Sequence, residues 1–567
     1  MPKKKLSPAE RELRRQQNRH KSVVRATFAN CGFARVDAFA DAEFTFERTT
    51  SDFDDLFVWK NIFVFAEYTV KKNGHSERLK KKEFLYRKIR EKSVDFLRFI
   101  SREHPEIAAA WDQKFDAAKV QIRFLYCTTT DPDDALKAQV PEVLFYDMPV
   151  SMYFKALSST IKHSARPELL SYLEVPFVEA GDNCLQVGGI PSQPFNGSLL
   201  PDSHSHLGDQ FKVVSLYVSP AALLERAYVL RREGWRDSEW LYQRMIGPKK
   251  IEAIRSFLRR KKRVFLNNII VTLPPTTKIL NEDGDTVDSA NIKKTQPVVV
   301  QLSQESNSVG LIDGQHRVFS YHVGGKNDDE IAPLRDKLNL LVTGIMYPKN
   351  MGDDERMNFE AELFLEINSN QASAKSDLKQ AITSILNPFD AVAIAKRVLV
   401  RLNKSGALLS CFMSYFYDTE RLKTTSVVSY GLRHVVSLNG VQSLITTYDP
   451  AKRDLLLKKD DLPALEEYVG YCFIELNKWF LAAKHELPAE RWTYDRSVAN
   501  RFLNTTNVNG LIQFFRLFIE AGRPLTGAER TLAMGALKAI DLQKYKSSQY
   551  GQMGRDLFKA YKEAAGF

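Results

Sequence analysis

The spacing of apolar residues changes several times along the chain, and each change predicts an element. Residues 7–31 carry helical spacing that stops at Gly32. From 44 to 70 the pattern shortens to that of strands, in three β-rich pieces with short breaks and with Asn61 at the turn between the last two. Residues 76–103 return to helical spacing through Phe84, Leu85, Ile89, Phe96 and Phe99 and predict one long basic helix. A strand over 120–130 and a helix from Pro149 follow, so residues 1–178 read as one α/β domain.

Residues 179–208 are rich in Gly, Pro, Ser and Asn and read as a linker or long loop. A second α/β domain is expected over 209–380, with helices at 220–233 and 248–260 and strands at 268–274, 309–313 and 338–347. A helix over 355–373 follows them. Residues 381–567 show amphipathic spacing with few strand signals and predict a mostly helical region. The fold class expected is therefore α/β (α+β).

Composition narrows this picture. At 44% hydrophobic residues the 567-residue chain can bury real cores, which excludes a disordered protein. No apolar run approaches the ~18–20 residues of a membrane helix, and the first residues are charged, without an apolar signal core. A soluble cytoplasmic protein is expected. Five cysteines lie far apart with no Cys-x-x-Cys, which argues against structural zinc and a disulfide framework. The net charge of +12 favours polyanionic partners. Basic residues gather at Lys3–Lys5, Lys80–Lys82 and Arg259–Arg263, a distribution that points to nucleic acid.

Two constellations carry candidate chemistry. The first is acidic. Asp54 and Asp55 open one predicted strand, and Glu67 lies on the next, after the apolar Val64-Phe65-Ala66. A carboxylate in that setting is costly unless paired or metal-bound. Adjacent antiparallel strands bring such acids together, and hard ions such as Mg²⁺ or Mn²⁺ take carboxylate oxygens of this kind. This stretch resembles the PD-(D/E)xK restriction-endonuclease-like fold, which places an acid on one strand and Glu-x-Lys on the next. Glu67-Tyr68-Thr69 lacks the lysine at the usual place, so Lys71, Lys72 or Lys82 is the expected substitute. The resemblance implies Asp54, Asp55 and Glu67 as metal ligands, Lys82 as a catalytic cation and DNA as substrate.

The second is Asp313-Gly314-Gln315-His316-Arg317, between a strand and a helix. Gly314 permits a sharp turn, and the helix start together with His316 and Arg317 offers donors to an anion. A helix cap at Asp313 with an exposed Arg317 is the plainer alternative. The string resembles the signature of DGQHR-domain proteins, which are similar to the ParB/sulfiredoxin-like fold. Downstream, Phe364, Asn368 and Gln371 match that family's Phe-x-x-x-Asn-x-x-Gln helix end. The resemblance implies a phosphate or nucleotide triphosphate site at Asp313–Arg317 with Asn368 and Gln371, and a place in a bacterial phage-defence or DNA-modification system. Other subunits of such an operon, or further copies of this chain, are the expected protein partners. Three functions stay open on these residues: a metal-dependent DNA endonuclease, a DNA-binding regulator with an inactive nuclease fold, and a nucleotide hydrolase coupled to DNA binding. His204 and His206 form His-x-His but lie in a Ser/Gly-rich loop, so a metal role is not expected.

Overall fold

In a computed structural model the chain divides into two compact units. The structure describes residues 7–566 except 71–74, 131, 133, 209, 232–234, 237–242, 370–379, 381, 382, 385, 416, 419 and 499. The fold is mixed α/β with open mixed sheets and a helical C-terminal part. No helix among the described residues is long and apolar enough to cross a membrane.

The first unit begins with helix α1 (Pro8–Asn30), set by a capping box. Glu10 N–H donates to the Ser7 hydroxyl, and Ser7 N–H returns to the Glu10 carboxylate at 2.7 Å. The helix stops where expected: Gly32 takes φ +86°, which ends the helical backbone. Its buried face, Val24 and Phe28, lies on a five-stranded sheet, and Phe28 stacks on Phe57.

That sheet holds β1 (Ala34–Arg35), β4 (Asp55–Trp59), β5 (Ile62–Thr69), β6 (Gln121–Thr128) and β7 (Val143–Tyr146), in this order across it. The small hairpin of β2 (Phe44–Phe46) and β3 (Thr49–Ser51) stands apart. β4 and β5 pair antiparallel through a two-residue turn in which Lys60 takes φ +52°. Asn61 is fully buried there and ties three segments: it donates to the carbonyls of Lys119 and Glu179 and accepts from Gly181 N–H. β5, β6 and β7 run parallel.

Alternation decides what each face of β5 meets. Val64, Ala66 and Tyr68 join the core shared with α1, while Phe63 and Phe65 join Leu56, Val58 and Phe96 on the other side. The single helix expected over 76–103 is two, α2 (His75–Glu91) and α3 (Ser93–Glu103). Lys92 leaves helical geometry at φ −121°, ψ 42°. The break turns Phe96, Leu97 and Ile100 onto the sheet and leaves Phe84 exposed.

An eight-stranded sheet completes the unit. In chain order its strands are β8 (Ser192–Leu200), β9 (Lys212–Val218), β10 (Ala227–Tyr228), β11 (Ile269–Leu273), β12 (Lys278–Leu280), β13 (Gln296–Ser303), β14 (Val309–Asp313) and β15 (Leu340–Met346). Across the sheet they run β10-β14-β11-β15-β9-β8-β13-β12. Residues 179–208, expected as a linker, therefore contain a full strand. The small residues of β8 serve close approach: a Cβ at Gly197 would stand 2.6 Å from the Ser215 carbonyl. The helix expected over 220–233 stops at Arg226. That guanidinium is buried and donates to the carbonyls of Ala222 and Ser303 and to the side chain of Gln193.

Phe154, Leu157 and Leu169 share one apolar core with Leu199, Val214 and Val271. Residues 1–178 and 209–356 thus belong to one compact unit rather than two. The second unit contains Met357–Phe567 and so begins before the expected boundary at 380. It is helical, built on Ala391–Lys404, Leu462–Glu486, Thr505–Glu520 and Tyr550–Ala565. Trp479 is fully buried in it and donates to the Leu511 carbonyl at 3.0 Å. Gly510 leaves room for Met553, whose Sδ would lie 2.5 Å from any Cβ added there.

Candidate functional site

The β4–β5 hairpin positions the acidic residues. Its last pair is Asp55 opposite Ala66, so one step further Asp54 stands opposite Glu67. Directly opposed residues of an antiparallel pair share a face, and their neighbours take the other. By this alternation Glu67 lies on the side of α2 and α3 and Asp55 on the side of α1, whereas Asp54, just outside β4, reaches Lys21 of α1.

Each carboxylate has its own environment. Asp54 accepts from Lys21 Nζ at 2.6 Å and from Tyr68 N–H at 2.8 Å. Glu67, buried at 3% exposure, accepts from Lys82 Nζ. The same ammonium donates to Asp52, to its carbonyl at 2.8 Å and to its carboxylate at 3.1 Å. Lys82 sits on α2, so the structure places the cation that β5 lacks beside Glu67; Lys71 and Lys72 lie outside the described residues. A cleft of about 380 Å³ opens beside this group, with Asp41, Thr50, Ser51, Asp52 and Lys82 among its lining.

Asp55 is different. It is fully buried, with Arg25 Nε on one oxygen at 2.8 Å and Arg35 Nε on the other at 2.5 Å. Its bond to Arg25 pushes that guanidinium's pKa further up. Of the three acids expected from sequence, Asp55 is enclosed by Arg25 and Arg35, while Asp54 and Glu67 each pair with a lysine. Among the described residues no three His, Cys, Asp or Glu side chains converge as a metal-binding group. Asp54 and Glu67 offer carboxylate oxygens of the kind Mg²⁺ or Mn²⁺ takes, and here each is held by a lysine.

Sequence reasoning missed Lys21, Arg25, Arg35 and Asp52. The signal for two of them was present, because Lys21 and Arg25 are four apart on α1 and so share a face. Nearby His20 packs edge-on against Tyr68, and burial pushes its pKa down to about 4.

The Asp313–Arg317 turn is tied into the protein's own bonds. Gly314 takes φ +104°, and a Cβ there would stand 2.6 Å from Ile269 Cδ1. Arg317 is paired with Asp313 at 2.5 Å. Gln315 donates to the Arg244 carbonyl at 3.4 Å. His316 Nε2 accepts Gly247 N–H at 3.0 Å, which puts the ring proton on Nδ1. Burial, with Lys250 and Arg231 adding repulsion, pushes its pKa down to about 4, so it stays neutral near pH 7. The expected donor set is thereby reduced. The helix that follows is short, Gln315–Phe319.

Arg231 lies near this turn, over the Phe319 ring, and one of its nitrogens donates to Glu168 at 2.7 Å. Its Nε and Nη2 are buried without a hydrogen-bond partner. Asn368 belongs to the second unit, where it donates to the Phe364 carbonyl of its own helix at 2.8 Å. Gln371 lies outside the described residues. His204 and His206 sit at a short helical turn, Asp202–Ser205. Comparison with family models, curated proteins and solved structures finds no match to this chain, so the chemistry of the site is read from its own atoms.

Proposed function

We propose that the first unit carries a metal-dependent endonuclease site for DNA, formed by Asp54, Glu67 and Lys82. The observation that carries this reading is Asp54 and Glu67 at the open end of the β4–β5 hairpin, each bonded to a lysine, with Lys82 also lining a cleft. Asp54 and Glu67 would hold Mg²⁺ or Mn²⁺, which supplies charge neutralisation at a phosphodiester and a more acidic water. Lys82 stands where developing negative charge needs a fixed cation. The net charge of +12 fits a polyanionic substrate. The restriction-endonuclease-like and DGQHR resemblances add a setting, a bacterial defence or DNA-modification system.

The test is plasmid cleavage with and without Mg²⁺ or Mn²⁺, and with ATP, GTP or CTP, for wild type, Glu67→Ala and Lys82→Ala. Metal-dependent nicking that both substitutions abolish supports the reading. A second reading, DNA binding by a nuclease fold that does not cut, draws on the pairing of each carboxylate with its own lysine. Tight DNA binding without cleavage, on modified DNA as well, selects it. A phosphate or nucleotide site at Asp313–Arg317 draws on the two unpartnered nitrogens of Arg231. Calorimetric titration of each nucleotide into wild type, Arg231→Ala and Arg317→Ala tests it.

A further inference from the structure

Helix α1 is more basic than its structural duty requires. From Leu13 to Val36 the chain has no acidic residue and six cations: Arg14, Arg15, Arg19, Lys21, Arg25 and Arg35. Their placement is not random. Arg14, Asn18, Lys21, Ser22 and Arg25 recur at helical spacing on one side, and the opposite side buries His20, Val24, Thr27 and Phe28.

The stripe also has shape. A groove of about 460 Å³ runs along α1, lined by Asn18, Lys21, Ser22, Arg25, Ala26 and Ala29. Its two charged lining residues, Lys21 and Arg25, are both positive. An amide, a hydroxyl, an ammonium and a guanidinium are the groups that contact phosphate and sugar oxygens in protein–DNA interfaces. One of them reaches the acidic site: Lys21 donates to Asp54.

We infer that α1 is a track for the phosphate backbone of double-stranded DNA and leads it to Asp54 and Glu67. The inference rests on the endonuclease reading for its destination, but its contacts are independent of cleavage. Arg14 to Arg25 spans about 16 Å at 1.5 Å per residue. The contacts read no bases, so the track accepts any sequence.

The test is fluorescence anisotropy of a short labelled duplex in EDTA, from about 50 to about 200 mM salt. The proteins compared are wild type, Arg14→Ala/Arg15→Ala, Ser22→Glu and a control, Lys293→Ala/Lys294→Ala, which removes equal charge from an exposed loop of the same unit. Removing Arg14 and the adjacent exposed Arg15 is expected to weaken binding roughly 10-fold at low salt and to flatten the log–log salt slope by about 1–2. Ser22→Glu is expected to weaken it as much, and the control to leave it unchanged. Wild-type affinity and slope in both α1 variants overturns the inference, as does an equal loss in the control. So does sedimentation with phosphatidylserine vesicles that the α1 variants lose while they bind DNA normally. Cleavage by wild type with normal DNA binding by the α1 variants removes this inference and keeps the nuclease. Stripe-dependent binding without cleavage does the reverse.

Discussion

Asp54 and Asp55 are neighbours in the chain, and each takes a different cation of α1, Lys21 and Arg25. Asp54 also accepts from the Tyr68 amide, and Asp55 is enclosed between Arg25 and Arg35. One residue of offset separates a carboxylate held by a lysine and an amide from one enclosed by two guanidinium groups.

Substitution should tell the two apart. Asp55→Ala removes the fully buried acid shared by Arg25 and by Arg35, which also pairs with Asp37. The expected result is a fall in the urea midpoint, with metal-dependent cleavage per folded molecule retained. Asp54→Asn is expected to abolish cleavage and to lower the midpoint less, because Lys21 keeps Asp41 at 3.8 Å. Denaturation curves and single-turnover cleavage on the same preparations check both.

Lys82 and Glu67 form a mostly buried pair, at 14% and 4% side-chain exposure. Lys82→Met removes the ammonium from a buried carboxylate and is expected to cost about 3 kcal/mol. Adding Glu67→Gln removes that buried charge and should recover most of that loss. Neither variant is expected to cut DNA. Full stability in Lys82→Met alone would show that the pair does not hold α2 to the sheet.

Gly314→Ala meets two penalties. The backbone at φ +104° strains any L side chain, and the new Cβ lands 2.6 Å from Ile269 Cδ1. A loss of about 2–4 kcal/mol is expected. Ile269→Val removes the offending methyl, so the double variant should regain part of the loss and leave the backbone share. Thermal unfolding of the four proteins measures the split.

Acid should weaken the fold through three buried imidazoles. Burial, helped by nearby cations at His316 and His322, pushes His20 and His316 down to about 4 and His322 to about 3. In the unfolded chain they take up protons near pH 6.5. Below 6.5 the unfolded state therefore binds more protons, and stability falls as pH drops through that window. It is fully present above it. Between about pH 7 and pH 5 each is expected to cost roughly 1–2 kcal/mol. His20→Phe should shrink the drop by its own share, measured as urea midpoints at the two ends.

Much of the first unit was legible where local chemistry and tertiary structure agree. Ser7 and Gly32 bound α1 by cap chemistry, and the two apolar runs either side of Lys60-Asn61 mark β4 and β5 before any partner is known. Other features depend on partners far away in the chain. β8 looks like a loop because its Gly and Pro are there for close contact with β9 and β13. The break at Lys92 answers to the sheet beneath α3, since no Gly or Pro marks it. Lys21 and Arg35 read as surface charge until the fold brings them to Asp54 and Asp55. The polar turn at Asp313 reads as an anion site until Gly247 is seen to use the lone pair of His316.

The position of β15 bears on how the first unit is made. It is the last of the fifteen strands among the described residues, yet it lies inside its sheet, parallel to β11 on one side and antiparallel to β9 on the other. Without residues 340–346 the sheet's order leaves two separate ribbons, each with a bare edge of unpaired amides and carbonyls. Such edges invite pairing with other chains, and closure over such sequence distances is slow. Truncation before Leu340 should therefore yield aggregating material rather than a smaller folded protein, and the nascent chain is most exposed to misassembly just before its final strand arrives.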